Sequence, residues 1–448
     1  MLKLIIIGVF VVAASLSLPT EYPDPQDLAL YLNEEQFEDY LDKWLAVEQE
    51  KWISNITVRS ASARSGCSLR VNGDFSEPQP VFIRQSSNSY LFPRDNSGTV
   101  RLDSGERVTV ACPGRNIRHP NAASSVATAT VACAGGQQIS GPGLLRSNGA
   151  FAQLTCSGHA NHVAEETRER CYNNNVVIRV GFVVYDVFYP VYHSCYDKNR
   201  FEVLYVWAPM DASNTVQQTG VDRPGWIAGN FYPGVQANSL YTQVQQKQAI
   251  ARVVGDRLAN QYVTSNQFLA RGHLTAKSDQ IFATGQRSTF YFINAVPQWQ
   301  PFNGGNWNSL EQNLRRRIGT AGYKCVVYTG SFGVTQLRNE NGQFVDIFLD
   351  NTNGRRRLPV PLYMYKVAYD ASRRVGTAFI SINNPHYTAA EARSLQFCTD
   401  RCRNNNAFSW LRWQPDRVDL GYSFCCTISD FRRRIPHLPS FTVNGLLT

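Results

Sequence analysis

Residues 291–317 read YFINAVPQWQPFNGGNWNSLEQNLRRR. The aromatic and β-branched run up to Trp299 predicts a strand. From Asn306 the apolar residues recur every three and four positions, which predicts a helix over 306–319 ended by Gly319. With the helix head placed near Asn303, the residues Asn303, Trp307, Glu311 and Arg315 lie four apart along one face. Leu310, Leu314 and Ile318 form an adjacent apolar stripe that can seat the helix on a sheet. An amide, a carboxylate and a guanidinium therefore share one face, near a helix N-terminus that favours anions. Just upstream, residues 268–279 read FLARGHLTAKSD. The chain has only 7 histidines, and His273 stands there behind Arg271 and Gly272. The order is histidine segment, strand, helix.

The bounds are set by the remaining sequence. A chain of 448 residues has room for two or three domains, and 43% hydrophobic with 18% charged residues is a globular balance. The start MLKLIIIGVFVVAASLSLP reads as a signal peptide over 1–17. Its apolar run from Leu4 to Ala14 is shorter than the roughly 20 residues a bilayer span needs. The later run VVIRVGFVVYDVFYP is broken by Arg179 and Asp186, so it reads as strands, and no membrane partner is expected. In an oxidising compartment the 11 cysteines predict about five disulfides and one remaining thiol. The close set Cys398, Cys402, Cys425 and Cys426 reads as disulfides rather than a zinc site. Asn55-Ile56-Thr57 is a glycosylation sequon.

Charge is unevenly spread. Residues 1–52 carry three lysines and ten acids, whereas residues 53–448 carry 41 bases and 25 acids, a net of +16. A secreted body that basic favours a polyanion: nucleic acid, anionic glycan or membrane surface.

Along the chain, residues 18–53 form an acidic segment in which Asn33 caps a helix bearing Phe37, Tyr40, Leu41, Trp44 and Leu45 on one face. Two readings stand for it. It is a pro-segment lying over the basic cleft, or a helix that packs its apolar face on the neighbouring domain. Residues 54–160 alternate polar and apolar and predict a small all-β domain, with a hairpin turn at Asp103-Ser104-Gly105. A polar linker is expected around SGHANHVAEETRER, and residues 166–448 mix strands with helices, including one helix over 241–262.

Phosphodiester hydrolysis needs a base for water, positive charge for the phosphorus centre and a stabilised leaving oxygen. Imidazole suits the first task. A divalent cation held by oxygen atoms suits the others. Arg271 and Arg315 can grip phosphate through forked hydrogen bonds, and Gly272 permits close backbone approach.

The segments ARGHLTAKSD, INAVPQ and NGGNWNSLE resemble the DNA/RNA non-specific endonucleases, and the layout is similar to the secreted digestive nucleases of arthropods, including those that degrade double-stranded RNA. The resemblance implies an α+β, ββα-metal (His-Me finger) nuclease domain with a mixed, largely antiparallel sheet flanked by helices. It implies His273 as general base, Asn303 as direct metal ligand and Glu311 as holder of metal-bound water. Arg271 and Arg315 then serve the phosphate, and Asn294 and Gln298 line the cleft. The implied cofactor is Mg²⁺ or Mn²⁺ with no organic cofactor, the substrates are DNA and RNA, and the products carry 5′-phosphates. The family also uses an upstream arginine. One departure concerns Arg271: many members carry an acid before Arg-Gly-His, and here Ala270 stands in its place. Two readings from another class are a catalytically silent polynucleotide-binding protein on the same fold and a binder of anionic glycans.

Overall fold

The computed structural model describes residues 22–54 and 66–448. The signal peptide expected at 1–17 and the sequon at 55–57 lie outside the described residues. A short helix α1 (Pro25–Leu28) leads to the long helix α2 (Glu34–Ser54). Asn33 caps α2 reciprocally: its Oδ1 accepts from Gln36 N at 2.9 Å, and Gln36 Oε1 accepts from Asn33 N at 3.2 Å.

Strands β1 (Cys67–Arg70), β2 (Val81–Arg84), β3 (Ser89–Tyr90), β4 (Thr99–Leu102), β5 (Arg107–Ala111), β6 (Thr128–Gly135), β7 (Gln138–Ser140) and β8 (Gly149–Ala150) follow. Six of them form an antiparallel sheet in the order β3-β2-β5-β6-β7-β8. The turn at Asp103–Glu106 is present, but the strands on either side of it do not pair. β4 joins β1, while β5 joins β2 and β6, so the expected hairpin is replaced by a crossing between sheets. The disulfide Cys67–Cys133 ties the two sheets together. The core beneath them takes in Val216, Ile281 and Phe282 from far along the chain.

The second half is built on an eight-stranded antiparallel sheet. It opens with β9 (Val163–Arg170), β10 (Val176–Val184), β11 (Val187–Asp197) and β12 (Glu202–Met210). The segment expected as a linker is thus the edge strand β9. Its charged, largely exposed residues are what an edge strand tolerates, and the backbone pairing to β10 gives it regular structure. Helices α3 (Gln243–Val254) and α4 (Asp256–Tyr262) replace the single helix expected over 241–262; the break falls at Gly255, φ +91°. Next come β13 (Leu269–His273) and β14 (Ala295–Trp299), which pair antiparallel, and then helix α5 (Asn308–Ala321). α5 runs past Gly319 and ends at Gly322, φ +62°. Gly319 is small for another reason: a Cβ there would lie 1.9 Å from Thr215 Oγ1.

Strands β15 (Cys325–Val334), β16 (Pro361–Asp370), β17 (Val375–Ile382) and β18 (Ser423–Cys426) complete the sheet in the order β9-β10-β11-β12-β15-β16-β17-β18, and α6 (Ile428–Arg434) follows. On β16 the side chains alternate. Met364 and Ala368 join the core beneath β13, β14 and α5, while Tyr363, Tyr365 and Val367 join the core under α6. Both faces of the central sheet are therefore covered. The architecture is α+β with antiparallel strand pairing. All 11 cysteines fall in the described part: five disulfides form, Cys398–Cys426 and Cys402–Cys425 among them, and Cys325 is the buried free thiol.

Among the described residues no helix is long and apolar enough to cross a membrane. The one cluster with metal-ligand spacing there, Asp400 with Cys402 and Cys425, has its two sulfurs joined in a disulfide.

Candidate active site

His273 ends β13, directly across from Ala295 on β14. Gly272 precedes it for a steric reason: a Cβ there would lie 2.1 Å from Gln298 Oε1 on the opposite strand. The imidazole packs against Trp226 and Phe290, with ring centroids 4.6 and 4.9 Å away. Its Nε2 is 3.4 Å from Thr289 Oγ1, whose own hydroxyl donates to Gln286 O at 2.7 Å. The threonine oxygen is then an acceptor toward the ring, which favours a proton on Nε2 and leaves Nδ1 as the basic atom. Burial, reinforced by Arg223, Lys277 and Lys366, holds the imidazole well below its ordinary range, so it is neutral at physiological pH.

Between β14 and α5 the chain makes a wide π-type turn over Asn303–Trp307, where Gly305 leaves helical geometry. Such turns are frequent at functional sites because they redirect side chains from the regular helical face. Asn303 therefore does not stand on one unbroken helix with Glu311. Both nonetheless line a small chamber of about 40 Å³ with His273, Lys277, Ser278 and Asn308. Asn303 Nδ2 donates to Gln300 Oε1 at 3.3 Å, which leaves its Oδ1 to present. Glu311 Oε1 is buried without a hydrogen-bond partner, 3.6 Å from Lys366 Nζ. Burial pushes the Glu311 carboxyl up to about 7, opposed by Lys366. An amide oxygen and an orphaned carboxylate oxygen in one chamber form a hard-oxygen set that fits Mg²⁺ or Mn²⁺.

Arg315 is placed differently from the sequence expectation. It is buried, and its Nε and Nη2 both bond Asp279 Oδ1 at 3.1 Å, with Nη2 also donating to Ser278 Oγ at 2.6 Å. Its guanidinium is spent inside the protein, and turning it toward a phosphate would leave buried Asp279 with only Lys366, 3.9 Å away, as a cation. Asn294 is likewise fully buried. It accepts from Thr275 N and donates to the carbonyls of Thr275 and Thr289, so it fixes the loop after His273 rather than facing the cleft. Gln298 is fully buried too, and its amide atoms have no hydrogen-bond partner.

Arg271 lines the open cleft, of about 900 Å³, together with Arg223, Trp226, Tyr241 and His273. Its Nη1 is 3.7 Å from Glu34 Oε2 on α2, a carboxylate from far upstream standing where Ala270 offers none. Three cations of the site were not singled out in the sequence. Arg223 precedes a Pro-Gly turn and carries no periodic signal. Lys277 follows His273 by four residues. Lys366 could have been noticed, because a lysine inside the apolar strand YMYKVAYD must find partners when buried. It donates to Leu274 O at 3.0 Å and Thr329 Oγ1 at 3.1 Å, and lies 3.9 Å from Asp279.

The sequence comparisons agree with one another. The chain is 24% identical to a salivary endonuclease of Lutzomyia longipalpis over 360 residues, 80% of each chain. It is 24% identical to the salivary protein Tsal2A of Glossina morsitans morsitans over 397 residues, 87% of this chain and 96% of that one. Among solved structures, one in the EndoG/EndoGI complex aligns with 59% of this chain and 92% of its own at 18% identity, with a TM-score of 0.34. The profile of the DNA/RNA non-specific endonucleases matches residues 173–431, a span that contains every strand of the eight-stranded sheet but β9, together with His273, Asn303 and Glu311, and the chain belongs to that family.

Proposed function

We propose that the protein is a secreted, divalent-metal-dependent endonuclease that hydrolyses DNA and RNA, double strands included, to 5′-phosphate products. The observation that carries this is the chamber where a neutral imidazole, an amide oxygen and an orphaned carboxylate oxygen meet. His273 Nδ1 accepts the proton of an attacking water while Nε2–H is steadied by Thr289. Asn303 Oδ1 and Glu311 would hold a hydrated Mg²⁺, which supplies positive charge to the phosphorus centre and the leaving oxygen. Arg271 and Arg223 bind the phosphate from the open side, Arg223 serving as the family's upstream arginine. Lys366 favours the ionised form of Glu311 against the burial that raises its carboxyl. The strand pair β13–β14 followed by the π-type turn and α5 is the ββα-metal element, 166–448 is the catalytic domain, and 54–160 is its β-rich accessory part. Residues 1–17 direct secretion, in keeping with five disulfides. Phosphate contacts position a substrate without reading its sequence, which suits low specificity.

Nicking of supercoiled plasmid with Mg²⁺ and with chelator tests the reading. Cleavage that needs the metal, with Asn303→Ala shifting the requirement to higher metal concentration, is expected. Purified folded protein that binds DNA but never cuts it would favour the silent binding protein instead. Binding to heparin in the absence of nucleic-acid binding would favour the glycan binder.

A further inference from the structure

α2 does not simply pack on the β-rich part. It crosses the cleft that holds His273. Its carboxylates Glu34, Glu38 and Asp42 stand four residues apart, a rise of about 6 Å each along one helical face. Each meets a different cation of the site. Glu34 lies against Arg271 at 3.7 Å, Glu38 pairs with Arg223, and Asp42 accepts from Lys277 Nζ at 2.7 Å. Further along, Glu48 is 3.5 Å from Arg316.

The apolar side of α2 closes the chamber. Phe37, Leu41 and Leu45 wall it together with Glu38 and Asp42, opposite His273, Asn303 and Glu311. Phe37 is 1% exposed and sits directly on the π-type turn, where a Cβ at Gly304 would fall 2.8 Å from its ring. The chamber, of about 40 Å³, is small beside the open cleft of about 900 Å³ in front of it, and α2 lines both. A row of carboxylates on the cations that would bind phosphates, on a helix whose apolar side walls the chamber, is the arrangement of a substrate mimic.

We propose that α2 is a built-in competitive inhibitor that occupies the phosphate track of the cleft and leaves it before nucleic acid can bind. The inference rests on the nuclease reading of this site. A duplex, a far denser polyanion, competes for Arg271, Arg223 and Lys277, and removal of the segment by proteolysis would make the release permanent.

The test uses the full chain and separates the two ideas. Binding of a short labelled duplex is measured in chelator, where nothing is cut, and cleavage is measured separately with Mg²⁺. The variant Glu34→Gln/Glu38→Gln/Asp42→Asn is compared with wild type and with a charge-matched control, Glu166→Gln/Glu169→Gln/Asp186→Asn, on exposed positions away from the cleft. Loss of the three ion pairs is expected to tighten duplex binding by about tenfold or more, with the control barely changed. Phe37→Asp should act in the same direction, and a peptide of residues 22–54 should inhibit it. Hydrogen exchange on wild type covers the case in which the variants do not fold: duplex should raise exchange of the α2 amides. Variants that melt cooperatively yet bind like the control, or α2 amides that stay protected with duplex bound, overturn the proposal and leave the nuclease reading intact. Tighter binding by the variants with no metal-dependent cleavage overturns the nuclease reading and leaves the contact of α2 with the cleft.

Discussion

Two groups of cations flank His273, and they are neutralised in different ways. Behind the site, Arg315 and Lys366 are buried and share Asp279, with Lys366 also facing Glu311. In front, Arg271 and Arg223 face the cleft and Lys277 the chamber beside it, and their acids all come from α2. The rear group is neutralised by residues of the same core, so its charges are structural and cannot be lent to a ligand. The front group is neutralised by a separate helix, so its charges become available when that helix leaves. Basic residues of the same kind, within one site, thus do opposite work according to where their partners sit in the chain.

The largest effect expected at the meeting point of the two groups is on turnover. His273→Ala should lower it by about 10²–10⁴-fold, the range for loss of a general base, with an unchanged melting curve. A folded variant that cleaves at the wild-type rate would remove His273 from the chemistry. For the rear group the effect should be on stability. Arg315→Met leaves Asp279 buried beside a single distant lysine and should cost about 3–5 kcal/mol in denaturant unfolding. A loss below about 1 kcal/mol would put Arg315 in the same class as a surface pair and blur the comparison.

Acid offers a control located in neither group. His437 is buried near Tyr172 and Phe332, and burial lowers it to about 4. Its neutral form stabilises the fold fully above its unfolded value near 6.5, and that contribution is lost as pH falls from there toward 4. His437→Gln should therefore flatten the fall of melting temperature over this window, by about 1.4 kcal/mol per pH unit at most. An identical acid slope in the variant would leave the loss to the other buried imidazoles held near 4, His162 and His386.

The smallest effect on the fold should come from the front group. Arg271→Met should change unfolding by no more than about 1 kcal/mol, since its carboxylate partner is on α2 and partly exposed. Its effect should be read in binding instead: the slope of log affinity against log salt on duplex DNA should fall by about 0.9, one phosphate contact. An unchanged slope would show that Arg271 never meets the substrate.

Much of this was legible from residue order. The strand–helix sequence around 291–317, the cap at Asn33, the cysteine count and the acidic start against a basic body all follow from local chemistry, and local chemistry is written in neighbouring residues. The Asp103–Glu106 turn was legible too, but its strands enter different sheets because pairing is decided by partners distant in sequence. The charged strand β9 looked like a linker for the same reason, since only its pairing with β10 makes it regular.

By itself, then, the sequence determined which residue types are present, the family they match and the sign of each segment's charge. Tertiary structure alone decided which charge neutralises which. Arg315 and Arg271 look equivalent in a motif, yet one faces Asp279 in the core and the other Glu34 across the cleft. Electrostatic partnership depends on distance and burial after folding, and two residues more than two hundred positions apart, such as Glu34 and Arg271, carry no local signal that they will meet.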